Sequence, residues 1–315
     1  MKELALFNRY PYNPIISAKD LPYGVNSVFN PGATIHQDIV ILPMRVEDKR
    51  GISHITLARS RDGFGKWEMD DEAFISPKRD EYTEYGVEDP RVTYLCEKDL
   101  YGITYTAYSR LGPMVCLSLT KDFKAKEDLG VVLPPENKDA CLFPERIGGR
   151  WAMLHRPVPS GSNPPHIWIS FSTDLRHWGD HRVVIKCREG AWWDSQRIGV
   201  GPPPIKTPKG WLLLYHGVKG TVSGPIYRVG LALLDLEEPY NVLYRSQEWI
   251  FGPQEPYEMA GDVGKVVFPC GWVLLDDQII LYYGAADTSI CAATGSLSQI
   301  LAFIDSELGL QRSSP

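Results

Sequence analysis

Paired cysteines, long apolar runs and an excess of basic charge are all missing from this 315-residue chain. The six cysteines, Cys96, Cys116, Cys141, Cys187, Cys270 and Cys291, form no C-x-x-C pair. Several lie inside apolar runs and read as buried, reduced thiols, not as a disulfide or zinc framework. No uninterrupted apolar run reaches the ~18 residues of a membrane span. The opening "MKELALFNRYPYNP" lacks the apolar core of a secretory signal. The net charge of -6 disfavours nucleic acid as a partner. No Walker loop, Rossmann glycine pattern, H-E-x-x-H or G-x-S-x-G occurs. These absences predict a soluble cytoplasmic protein that uses neither nucleic acid nor membrane, and needs no metal and no organic cofactor. They leave the oligomeric state open, a homo-oligomer included.

Helical periodicity is scarce too. Instead, short runs of Val, Ile, Leu, Tyr and Trp alternate with turn residues, the pattern of many short strands. The runs repeat. "FNPGATIHQDIVILPMR" ends at Arg45, "VEDPRVTYLCEKDLYGITYTAYSR" at Arg110 and "LFPERIGGRWAMLHR" at Arg156. "VGPPPIKTPKGWLLLYHG" ends at Gly217 and "VVFPCGWVLLDDQIILYYGAAD" at Asp287. Each unit has an early proline, a short strand, a polar turn and a second apolar strand that finishes in polar or small residues. "SHITLARSRDGFGKW" and "HIWISFSTDLRHW" add a strand, an S-x-D turn and a tryptophan. "PMVCLSLTKDF" varies this with Phe123, and "SICAATGSLSQILAFI" fills the place weakly in the fifth unit. Units of roughly 45–70 residues with several antiparallel strands fit propeller blades better than the shorter repeats of a solenoid. The expectation is an all-β, five-bladed β-propeller, one domain over residues 1–315. The segment before Tyr23 is free to pair with the last blade.

Inner strands of a propeller converge on one funnel. The polar endings Arg45, Ser109 with Arg110, His155 with Arg156, His216 and Asp287 are therefore expected to face one another. The starts of the units add Asn30, Asp89, Glu145 and Arg197. Asp89, in "GVEDPR", suits a general acid. Lys138, Arg156, Arg197 and His216 suit a small dianion such as phosphate, because Arg offers a planar fork while Lys and His add point donors. Each of these residues taken alone also reads as a surface charge or a core histidine. Glycoside hydrolysis needs two carboxylates. One acid opposite an anion cradle instead suits attack by phosphate, which arrives already charged. Tyr105, Tyr108, Tyr215, Tyr227 and Tyr283 are candidates to stack on sugars, although most such rings build cores.

The motifs "NSVFNPGA", "GISHITLARSRDG", "GVEDPR", "DACLFPERI", "LHRP", "GVGPPPIKTPKGWLLLYHGV" and "YYGAADT" together resemble glycoside hydrolase family 130, over about Asn26 to Thr288. The resemblance implies a five-bladed β-propeller acting on β-mannosides. It implies Asp89 as general acid, working directly or through a sugar hydroxyl, and Lys138, Arg156, Arg197 and His216 as phosphate ligands. Position 197 is often lysine in relatives. Asn30, Arg45 and Asp287 resemble residues that hold the mannosyl unit, and Tyr227 one near the acceptor. The implied reaction is inverting phosphorolysis of a β-mannoside to α-D-mannose 1-phosphate, with inorganic phosphate as co-substrate and β-1,2-mannobiose or oligomannan favoured. A β-1,4-mannosyl acceptor, a hydrolytic β-mannosidase using Glu145 or Asp194 as base, and a non-catalytic mannan-binding propeller stay open.

Overall fold

The computed structural model describes residues 5–78, 80–161 and 163–313. Its regular structure is nearly all β-strand, in five successive groups of antiparallel neighbours. The first holds Ser27–Phe29, Thr34–His36, Ile39–Glu47, Ser53–Ser60 and Glu68–Met69. The second holds Gly86–Leu95, Leu100–Ser109, Gly112–Thr120 and Lys126–Leu133. The third holds Asn137–Leu142, Trp151–Pro157, Ile167–Ser172 and Gly179–Ile185. The fourth holds Arg197–Val200, Ile205–Thr207, Gly210–Thr221, Gly224–Leu234 and Val242–Arg245. The fifth holds Val267–Leu275, Gln278–Ala285 and Ser289–Ser296, and Asn8–Arg9 pairs along its outer edge. A single parallel pair, Ser53 with Gly86, joins the first two groups into one nine-stranded sheet. Gly86 has φ 116, and a Cβ there would lie 2.6 Å from the Ser53 backbone, so only glycine lets these edges meet.

Five apolar clusters fill the spaces between groups. Ile55 and Leu57 of the first group meet Val87 and Ile103 of the second. Val115 and Leu117 meet Trp151 and Met153 of the third. Leu154 meets Ile198 and Leu213 of the fourth, and Leu231 meets Ile279 and Leu281 of the fifth. Ile280 and Tyr282 of the fifth group then meet Leu42 and Met44 of the first. Each group is thus packed on both faces. That is why strands such as Trp151–Pro157 read as continuous apolar runs without a strict alternation.

The S-x-D turns form as expected. Asp62 Oδ1 accepts from the Phe64 and Gly65 amides, and Asp174 Oδ1 accepts from Arg176 and His177. Trp178 tucks back to donate to Leu175 O at 3.0 Å. The end of the fifth unit differs from expectation. Ser289–Ser296 is a strand, but Leu297–Ser313 is a helix. Ser296 Oγ accepts from the Gln299 amide, and Asp277 accepts from the Ser298 amide, so the helix start is capped. Ile300 and Ile304, one turn apart, bury against the cluster between groups four and five. Among the described residues no helix is long and apolar enough to cross a membrane. All six cysteines are unpaired, and five are buried.

Candidate active site

Four short polar residues turn inward by one device. Pairing along Gly86–Leu95 slips between Glu88 and Arg91, and Asp89 there takes φ 51. Pairing along Asn137–Leu142 slips between Lys138 and Cys141, and Asp139 also takes φ 51. Asn30 (φ 46) and Asp287 (φ 52) adopt the same left-handed backbone. Asn and Asp tolerate that conformation better than other L-residues, and a bulge re-aims its side chain. The motifs F-N-P, E-D-P and K-D-A carry this signal in the sequence.

A cavity of about 320 Å³ results. Asp89, Lys138, Arg156, Arg197 and His216 all line it. So do Asn30, Arg45, Tyr227 and Asp287. The expected residues are thereby brought together from all five strand groups, with four exceptions: Ser109, Arg110, His155 and Glu145. Ser109 is buried in the hairpin that it closes with Gly112, where its Oγ accepts from the Leu111 amide. Arg110 follows on the turn, 71% exposed, and forks onto Glu84. Neither lines the cavity, because the chain leaves the strand at that turn. His155 also points elsewhere. Successive strand residues face opposite sides, so while Arg156 faces the cavity, His155 packs with Asn137 and Ser170. Glu145 pairs with Lys206 near the surface. Asp194 is buried under Arg188, Arg245 and Tyr215. Of the tyrosines considered for stacking, Tyr227 alone lines this cavity.

Two buried residues escaped the sequence reading. Arg91, 1% exposed, donates to Gly201 O at 2.8 Å and Val200 O at 2.9 Å, and so ties the second group to the fourth beneath the cavity. Asp139 sits 2.7 Å from Arg156 Nε, 3.5 Å from Arg91 Nη2 and 3.7 Å from His216 Nε2. A Cβ at Gly199 would come within 2.4 Å of Asp139 and 2.5 Å of His216, so this glycine makes room for their approach. The sequence signals for them are slight: Asp139 adjoins Lys138, and Arg91 is the R of E-D-P-R.

Charge is unevenly spent here. Asp89 Oδ1 accepts from Asn30 Nδ2 at 2.9 Å and Arg45 Nη1 at 3.1 Å. Burial pushes the Asp89 carboxyl up, but Arg45, Lys138, Asn30 and Arg91 outweigh it, and the net shift is below the usual carboxylate range. Asp287 goes the other way. Burial, together with Asp89, Glu47 and Glu88, overcomes Arg45 and pushes it up to about 7. Burial lowers His216 to about 3, with Arg156, Arg91 and Arg197 reinforcing and Asp139 opposing. The ring is therefore neutral near pH 7, and its Nδ1 has no partner among the described residues. Arg156 spends only its Nε, on Asp139; among the described residues its two amino groups and the whole Arg197 guanidinium make no hydrogen bond or ion pair. The donors left over suit an oxyanion. Among the described residues no group of three or more His, Cys, Asp or Glu is arranged to hold a metal ion.

A family model for glycoside hydrolase family 130, described as β-1,4-mannooligosaccharide phosphorylase, matches residues 8–306. The chain is 42% identical over 250 residues to a β-1,2-mannobiose phosphorylase of Listeria innocua serovar 6a, covering 79% of this chain and 68% of the relative. It is 38% identical over 287 residues to a 1,2-β-oligomannan phosphorylase of a Thermoanaerobacter species, covering 87% and 91%. The structure of a Listeria innocua β-1,2-mannobiose phosphorylase in complex with β-1,2-mannobiose superposes with a TM-score of 0.88 at 34% identity, covering 95% of this chain and 99% of that one. The protein is an enzyme of the carbohydrate-active class. It belongs to glycoside hydrolase family 130.

Proposed function

We propose that the protein catalyses inverting phosphorolysis of β-mannosides, with β-1,2-linked mannobiose or oligomannan as favoured substrate. The observation that carries this reading is the common cavity: one acid, Asp89, shares it with Lys138, Arg156, Arg197 and His216. The uncommitted amino groups of Arg156, the Arg197 guanidinium and Lys138 bind inorganic phosphate, and neutral His216 adds a donor. A phosphate oxygen attacks the anomeric carbon, the glycosidic C–O bond breaks, and the leaving oxygen takes the Asp89 proton, directly or through a sugar hydroxyl. Attack opposite the leaving group turns a β-mannoside into α-D-mannose 1-phosphate and a sugar one unit shorter. Asp89 is ionised in the empty site. Bound phosphate offsets the pull of Lys138 and Arg91 and raises its pKa toward that of a working acid. Asn30, Arg45 and Asp287 hold the mannosyl unit, and Tyr227 lies toward the acceptor.

The nearest alternative is a β-1,4-linked substrate, favoured by the description of the matching family model. A hydrolytic route loses support, because its expected bases Glu145 and Asp194 are engaged outside the cavity. A closed five-bladed β-propeller over a single domain is the architecture this reading uses. It is supported by five clusters between successive groups, the last group packed on the first. The six unpaired thiols support a reducing, cytoplasmic setting. The test is release of sugar from β-1,2- and β-1,4-mannobiose with and without phosphate. Mannose 1-phosphate formed only with phosphate is expected; equal mannose release in both would sink the proposal.

A further inference from the structure

The cavity, about 320 Å³, lies at the small end of the usual range for small-ligand sites, about 300–1,000 Å³. With phosphate inside there is room for a short saccharide only. Further sugar units must leave over the rim. One stretch of rim is built unlike ordinary surface.

Pro113 lines the cavity, and Tyr108 is its direct partner across the ladder. Side chains so paired share one face of the sheet, with Cβ atoms about 4.5–5.5 Å apart. Tyr108 therefore stands beside the cavity wall. Its carbonyl accepts from the Tyr85 amide at 2.9 Å, and the two rings meet edge to face, centroids 5.5 Å apart. Next to this pair, two residues beyond Tyr108, Arg110 forks onto Glu84, the residue before Tyr85, through Nε at 2.8 Å and Nη2 at 2.5 Å. Two links thus fasten the same two segments, and all four side chains are held without a ligand. Yet Tyr85 and Tyr108 remain 43% and 39% exposed, so neither serves as core.

We propose that Glu84, Tyr85, Tyr108 and Arg110 form an outer saccharide site for the sugar units of β-mannosides longer than a disaccharide; this rests on the phosphorolysis reading above. A pyranose presents a C–H face and a rim of hydroxyls. Aromatic rings take the first, and the Arg–Glu fork takes the second. The site makes the enzyme favour longer chains without touching the bond that breaks.

The experiment compares kcat/KM for β-mannotetraose and β-mannobiose, in whichever linkage the wild-type protein cleaves with phosphate. The variants are Tyr85→Ala with Tyr108→Ala, Tyr108→Trp and Arg110→Ala. The tetraose-to-biose ratio is expected to fall about tenfold in the double alanine variant, to fall less in Arg110→Ala, and to persist in Tyr108→Trp. Activity on the disaccharide reports that each variant is folded. An unchanged ratio overturns the outer site, as does loss of both activities in parallel. An unchanged ratio with an altered oligomeric mass by light scattering would assign this surface to contacts between copies instead. A wild-type protein inactive on both sugars in both linkages overturns the phosphorolysis reading itself.

Discussion

Two buried aspartates in this molecule are built from the same parts and serve different ends. Asp194 Oδ2 accepts from Arg188 at 2.7 Å, Arg245 at 2.6 Å and Tyr215 at 2.9 Å. Those cations spend their other donors too: Arg188 on Ser246 O, and Arg245 on Lys186 O and Tyr215. Trp193 stacks on Tyr215 and closes the cluster. Asp139 also gathers two arginines and one further group, but Arg156 keeps its amino groups and His216 its Nδ1 unspent beside a cavity. One cluster is a staple with its donors committed; the other holds donors in reserve for a ligand. What separates a site from a staple is the state of the remaining donors. The mere presence of charge does not.

That comparison is sharpest at Asp89, the acid proposed to work opposite the reserve. Asp89→Asn is expected to lower the rate of mannose 1-phosphate formation about 10²–10⁴-fold while phosphate still raises the melting temperature. Unaltered turnover removes Asp89 from its role. Next comes the staple. Asp194→Ala leaves two arginines uncompensated and should cost about 3–5 kcal/mol in denaturant unfolding, with the KM for phosphate unchanged in the folded protein. A specific rise in that KM would make Asp194 part of the site. Arg156→Ala should act in reverse, raising the KM for phosphate about 10–100-fold through the loss of charge-assisted donors. Equal loss in Arg188→Ala would erase the distinction between the clusters.

The smallest effect is in pH. The Asp287 carboxyl, raised to about 7 in the folded state, binds more protons there than when unfolded. The stability it contributes is complete below its ordinary range near 3.8 and is lost as pH rises through about 7. Asp287→Asn removes that loss, so its melting temperature should gain on the wild type between pH 4 and 8. A difference independent of pH would mean that Asp287 is ionised throughout.

Much of the site was readable before any coordinates. Repetition marked five units, and Arg45, Arg156, His216 and Asp287 were found because each stands at or next to the end of a unit. The same rule also pointed Ser109, Arg110 and His155 at the cavity, and the structure places none of them in its lining. A strand end is a position along the chain, but facing is a matter of parity, and one bulge or one turn reverses it. Asp139 was passed over beside Lys138 because a buried carboxylate within a cation cluster is recognised by what surrounds it, not by spacing. The final helix was missed for a related reason. Its apolar pair Ile300 and Ile304 gains its meaning from the cluster it covers.

The sequence by itself determined the β character, the five-fold repetition, the acid motif and the supply of cations, because strand propensity, turn chemistry and residue charge are local properties. Only the tertiary structure decided which of those charges share a cavity and which are neutralised by neighbours. Pairing register and burial join residues far apart in the chain, and desolvation weighs each charge by what stands next to it.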